Sequence, residues 1–211
     1  YTFFGVDLDL MASEFAALSV RPPLAFHGQL LTAARNHAQY LFDNALQSHT
    51  GSGGTNAGNR ITAAGYTWSG YGENVYSYAD SVWHGHAGFE VDWGNNPPSG
   101  MQAGRGHRAN IHSGTFREVG IGVIAGTKTV GMNTVGPLVV VQDFATRSGI
   151  TPLITGVVYE DGNANNAYDP GEGVGGVTIR VYTVPGGTEV AYYAVSASAG
   201  GYAVPVPGNG S

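Results

Sequence analysis

The spacing of the apolar residues changes once along this chain, at Ser148-Gly149-Ile150-Thr151-Pro152, and that change limits what the sequence can fold into. Before it, apolar residues recur at helical steps of three and four and then alternate in two longer runs. After it only alternation in twos is left, punctuated by Gly and Pro. A chain that places its helices early and its strands late builds an α+β layered domain followed by an all-β one. With 211 residues there is material for one ordinary domain and one small one. The expected boundaries are 1–149 and 150–211. The second part stops soon after a strand and reads as truncated at its C-terminal end.

The clearest helix is expected from Gly28 to Ala45, where Leu30, Leu31, Ala34, Ala38, Leu41, Phe42 and Ala45 share one face. His37 lies among them and reads as a packing histidine. Upstream, Tyr1 to Val20 suggests a packed arm or short helix, closed by Arg21-Pro22-Pro23. Downstream come the loop SHTGSGGTNAGNR, a turn from Arg60 to Gly65, and a loop carrying Gly72-Glu73-Asn74-Val75. A second helix is expected over Asp80 to Trp93, with Val82, His86, Phe89 and Trp93 as its stripe. A loop and a helical turn ending at Ile111 follow. Strands are expected from Arg117, with Val119, Ile121 and Val123 alternating with small residues, and from Gly136, whose Val139 to Val141 run suits a central strand.

Composition narrows the partners. The formal charge is −6, with ten acids against eight bases up to Ile150 and five against one beyond it. No basic patch is visible, which argues against nucleic acid and anionic membranes. There is no cysteine, so disulfides and thiolate metal sites are excluded. No apolar run approaches the roughly 20 residues that span a bilayer. Low charge, abundant Gly, Asn, Ser and Thr, and a first residue that is not Met fit a processed, secreted or cell-surface chain belonging to a longer protein.

Asp161 to Glu172 reads DGNANNAYDPGE. Oxygen-bearing side chains fall at loop positions 1, 3, 5, 9 and 12: Asp161, Asn163, Asn165, Asp169 and Glu172. Ala167 at position 7 would offer its carbonyl. That spacing wraps hard oxygens around a calcium ion, with roughly 0.1–1 mM affinity when only three carboxylates contribute. Asn166 stands at position 6, where glycine is usual, and asparagine tolerates the left-handed turn. The strand, this loop and the following Gly-Val-x-Ile-x-Val make the last sixty residues resemble the B-type repeats of bacterial surface adhesins (SdrD/Cna B-like). The resemblance implies a small Ig-like β-sandwich spacer clipped by calcium.

In the first part, His49 follows the long helix, Glu73 sits in GENV, and His107 sits in GHRANI. Two imidazoles and a carboxylate suit a borderline metal such as zinc with an open position for water. The same set suits general acid–base work, or a polar network that fixes loops. With AARNHAQYL, the His49-Thr50 pair, AAGY, REVGIGV and VVVQDF, these motifs resemble the CAP superfamily over about Leu24 to Phe144. Specifically, the series is similar to the cysteine-free bacterial branch of its SCP-like, pathogenesis-related-protein-1-like members. The resemblance implies an α-β-α sandwich whose cleft carries two histidines, here His49 and His107, and two glutamates, one of them Glu73. The second glutamate falls at Asn96, so Glu90 or Asp92 is left to supply a fourth group.

Ser48 beside His49 lacks a nucleophile elbow, and no H-E-x-x-H, phosphate loop or dinucleotide fingerprint occurs. Arg105 and Arg108 form an anion site or a solvated face. Tyr66, Trp68, Tyr71, Tyr76 and Tyr78 around GENV either floor an apolar or sugar-binding groove or pack the sheet edge. Two functions follow. One is a secreted binding module for a lipid or cell-envelope ligand. The other is a metal-dependent, peptidase-like hydrolase using His49, His107 and Glu73 around an activated water.

Overall fold

In the computed structural model, which describes residues 2–182, 186–188 and 190–206, the first helix, α1 (Leu8–Ala16), begins where Asp7 accepts the Leu10 N–H at 2.9 Å. None of its residues is buried. The chain divides into two compact units, Tyr1–Pro22 with His27–Ser148, and Pro23–Phe26 with Gly149–Ser211. The short strand β1 (Ala25–Phe26) therefore groups with the second unit.

Helix α2 (Gly28–Asp43) buries Leu30, Ala33, Ala34, His37, Ala38 and Leu41. It ends short of Ala45, because Ala45 adopts a φ of 50°, which an L residue in a helix does not take. Helix α3 (Ala57–Ala63) stands where a loop and turn were expected. The reciprocal cap between Asn56 and Asn59 starts it, each side chain accepting the other's backbone N–H at 2.8 and 3.1 Å. Gly72-Glu73-Asn74-Val75 lies in strand β2 (Gly70–Ala79) and not in a loop.

Helices α4 (Val82–Val91) and α5 (Gly106–Ile111) follow, then strand β3 (Glu118–Ala125), the hairpin β4 (Lys128–Val130) and β5 (Asn133–Val135), and β6 (Leu138–Thr146). Ser81 caps α4, accepting the His84 N–H at 3.0 Å. Within this unit the strands run β3–β6–β2, all antiparallel. Strand periodicity sorts β6 between two helical layers: Val139 and Val141 pack with Ala34, Ala38 and Leu41 of α2, while Val140 packs with Phe89 of α4. That is an α-β-α sandwich.

Glycine sets how closely the helices approach. A Cβ on Gly120 would stand 2.0 Å from the Leu30 carbonyl carbon, and one on Gly122 would stand 2.4 Å from the Ala34 oxygen. The glycine face of β3, rather than the valine face, therefore lies against α2, and Val123 is exposed. Helix α4 departs from expectation in the same way. It buries Gly85, Gly88 and Phe89, and leaves Val82 and His86 outward.

Among its described residues the second unit holds two antiparallel pairs, β7 (Leu153–Val157) with β10 (Gly201–Pro205) and β8 (Thr178–Tyr182) with β9 (Val190–Val195). A bridge between Tyr159 and Gly173 closes the Asp161 to Glu172 loop. Val204 is fully buried, and the Ser196 hydroxyl donates to the Val174 carbonyl at 2.7 Å. The C-terminal end expected to be truncated, Asn209-Gly210-Ser211, lies outside the described residues.

Candidate functional site

Glu73 is buried and fully engaged. The His49 ring donates from Nδ1 to its Oε1 at 2.8 Å, and Arg60 donates from Nη2 to its Oε2 at 2.5 Å. His37 Nε2 stands 3.8 Å from Oε2 and bonds the Ser48 carbonyl at 3.0 Å. Burial pulls the Glu73 carboxyl upward, but the His49 hydrogen bond and the Arg60 charge outweigh it and hold the group below the usual range. Burial pushes His37 down, so it sits neutral beneath the pair. His37 thus packs as expected and also joins the polar cluster. Arg60 was legible only as the start of a turn.

Asp143 is a site residue that sequence reasoning missed. It faces Glu73 in register across β2 and β6, is fully buried, and neither carboxylate oxygen has a hydrogen-bond partner among the described residues. Burial first, and then the negative charge of Glu73, push its pKa up to about 8. The signal was an acid inside the apolar run VVVQDF, where a central strand leaves no room for water.

His107 belongs to a second pair. Its Nδ1 donates to Asp92 Oδ1 at 2.7 Å, and its backbone N–H donates to Asp92 Oδ2 at 2.9 Å. Asp92 is buried at the left-handed C-terminus of α4, with φ 56°. One carboxylate therefore fixes both the position and the tautomer of the ring, leaving Nε2 as the atom that can meet a ligand. Asn74 Nδ2 donates to the His107 carbonyl at 3.1 Å, and Asn110 donates to Asn74 Oδ1 at 2.8 Å, tying α5 to β2. Glu90 goes elsewhere, pairing with His112 at 2.9 Å. Asn96 donates to the Met101 carbonyl at 2.9 Å and shapes the loop. Arg105 and Arg108 both hold Glu14 of α1, at 2.9 and 2.6 Å, so they form neither an anion site nor a solvated face.

The residues expected to hold zinc thus form two pairs, His49 with Glu73 and His107 with Asp92. Among the described residues no three His, Asp or Glu side chains are grouped to hold a metal ion. Glu73, with both oxygens taken, is a poor fit for one.

A cleft of about 710 Å³ opens beside His107. Tyr76 is its hub, in edge contact with Tyr78, Phe89 and Trp93 at centroid distances of 6.3, 6.3 and 6.4 Å. Gln47, Gln102 and Asp80 add polar groups to its walls. His49 and Glu73 do not line it, and none of the described lining residues is Ser, Thr or Cys. Of the aromatic residues around GENV, Tyr76 and Tyr78 reach this cleft. Tyr66 is buried, donating to Glu118 at 2.6 Å, and Trp68 packs on Tyr71 at 4.6 Å.

In the second unit, the Asp161 loop folds on its own side chains. Asn163 and Asn165 both donate to Asp169 Oδ2 at 2.7 Å, and Asp161 accepts the Asn165 and Asn166 N–H groups at 3.1 and 2.8 Å. Glu172 accepts from Gly162 and Asp169 at 3.0 and 2.9 Å. Asn166 takes the left-handed turn with φ 61°.

Among solved structures, an extracellular protein containing an SCP domain from Bacillus anthracis str. Ames is similar at 20% identity with a TM-score of 0.45. The match covers 65% of this chain and 37% of that one, so this chain spans little over a third of its relative, and the likeness is too loose to carry an argument. No curated protein matches. The sequence profile of the CAP, or cysteine-rich secretory protein, family matches residues 17–144, which contain both histidine–carboxylate pairs and the α-β-α sandwich up to Phe144 in β6. Although it has no cysteine, the chain belongs to the CAP (cysteine-rich secretory protein) family.

Proposed function

We propose that the first unit is an extracellular binding module whose ligand enters the aromatic cleft and is read by His107. The observation that carries this reading is the Asp92–His107 pair at the wall of a cleft lined mainly by aromatic rings. Held by Asp92 at Nδ1, His107 offers a hydrogen-bond acceptor at Nε2, and the rings around Tyr76 offer flat apolar surface. Membership of a family of secretory proteins speaks for work outside the cell. No helix among the described residues is long and apolar enough to cross a membrane. The ligand belongs to the lipid or cell-envelope class. Titration of such ligands by tryptophan fluorescence tests this, since Trp93 lines the cleft. Saturable binding that Tyr78→Ala weakens supports the reading, and binding indifferent to Tyr78 sinks it.

The competing reading is a metal-dependent hydrolase built on His49, His107 and Glu73. The Arg60 guanidinium on Glu73 speaks against it, because a cation already occupies that carboxylate. Turnover of a peptide or ester panel that is lost with chelator and restored by zinc would decide for the hydrolase.

For the second unit we propose a calcium clip in an adhesin-like β-sandwich spacer. Support comes from the loop spacing and from the convergence of Asn163 and Asn165 on Asp169. Turning each amide by half a rotation presents two oxygens at that point beside the carboxylates. Calcium would hold the loop closed and leave the fold otherwise unchanged.

A further inference from the structure

The family match begins at residue 17, yet the residues before it build part of the cleft. Phe3 and Phe4, in a 3-10 turn at Thr2–Phe4, line it. Three separate anchors hold the segment there. The Asp7 N–H donates to the Ser99 carbonyl at 3.0 Å. Gly100, with φ 63°, lets the backbone pass so closely that a Cβ would stand 2.5 Å from the Phe4 oxygen. Glu14 takes Arg105 and Arg108, and the Arg108 guanidinium lies 4.4 Å over the Phe15 ring. Between these anchors Val6 packs with Val91 and Met101, with Phe4, Met11 and Trp93 at the margin.

We propose, resting on the binding reading above, that Thr2–Ala16 is a specificity wall added to the CAP domain, and that the ligand it selects is a neutral saccharide. The chemistry of the walls argues for that class. Val75 is the one aliphatic residue among the described lining residues, whereas six are Phe, Tyr or Trp. Flat rings stack on the apolar faces of pyranoses, and Gln47, Gln102, His84 and His107 match their hydroxyls. A fatty acid would bring a carboxylate into a cleft whose described lining residues include Asp80 and no Lys or Arg to receive it. A sterol would bring a single hydroxyl and leave most of those polar groups without partners.

The test is a fluorescence titration of the full chain with chitotetraose and cellotetraose, with palmitate as the lipid arm. Phe3→Ala is the central variant, because the ring is 88% exposed and its removal leaves the packed interior intact. Phe4→Ala and Tyr78→Ala accompany it. The expected result is binding of at least one tetrasaccharide, weakened about three- to tenfold by Phe3→Ala and also by Tyr78→Ala. A saccharide that binds with Tyr78 dependence but is indifferent to Phe3→Ala and Phe4→Ala overturns the wall and leaves the cleft reading standing. Palmitate binding without saccharide binding overturns the saccharide class alone. Failure of every probe overturns both.

Discussion

Glu73 and Asp143 face each other in register across β2 and β6, and at neutral pH only Glu73 carries a charge. Arg60 and His49 satisfy Glu73, while Asp143 has no cation and stays protonated. The pair is therefore arranged asymmetrically, with the ionised member toward α3 and the neutral one in the central strand.

A pH dependence of stability follows from Asp143. Its folded pKa, about 8, lies above the ordinary aspartate value of 3.8. Between those values the folded state holds a proton that the unfolded state has lost. Stability from this group is thus full below about pH 4 and falls as pH rises toward 8. Asp143→Asn is expected to flatten that slope in urea denaturation measured from pH 4 to 8. A variant with the wild-type slope would contradict the assignment.

Arg60 has the opposite role. Its removal strands the Glu73 carboxylate in a buried site, an effect of about 3–5 kcal/mol for a buried pair broken on one side. Arg60→Ala should lower the denaturation midpoint strongly, and Arg60→Ala with Glu73→Gln should recover part of the loss. Equal midpoints for the single and double variants would show that no such pairing matters.

Asp92→Asn keeps the shape at a left-handed position that asparagine tolerates, but replaces one acceptor oxygen by a donor. The His107 ring then loses its fixed tautomer. We expect ligand affinity in the cleft to fall about tenfold while the melting temperature moves by only a few degrees. Unchanged affinity would mean that His107 does not read the ligand.

In the second unit, millimolar calcium should raise the melting temperature by mass action, and Glu172→Ala should abolish the rise. A wild-type protein whose melting is indifferent to calcium would remove the clip.

Much of the fold was legible because it rests on period. The α2 stripe and the continuous Val139 to Val141 run both identify elements that packing then uses. What was not legible rests on contact. The alternation of β3 suggests a valine face inward, but Gly120 and Gly122 admit the backbone of α2, so the apparently empty face is the packed one. In the same way, Gly85 and Gly88 turn α4 away from its apparent stripe. At the site, His49, Glu73 and His107 were visible as residue types, and Asp92 was visible only as one of two alternatives for a fourth group. Their division into two pairs was not visible, because it depends on contacts between distant segments, His49 with Glu73 and His107 with Asp92, and the roles of Arg60 and Asp143 come from burial and register. The N-terminal wall was invisible for a simpler reason: Phe3 and Phe4 carry no motif.

If His107 reads the ligand, the cleft beside it binds that ligand without a metal. Calorimetric titration of a binding ligand, with and without chelator, against the wild type and His107→Ala tests it most directly. The expected result is the same affinity in chelator and a marked loss in His107→Ala. Binding that vanishes in chelator and returns with zinc would contradict it.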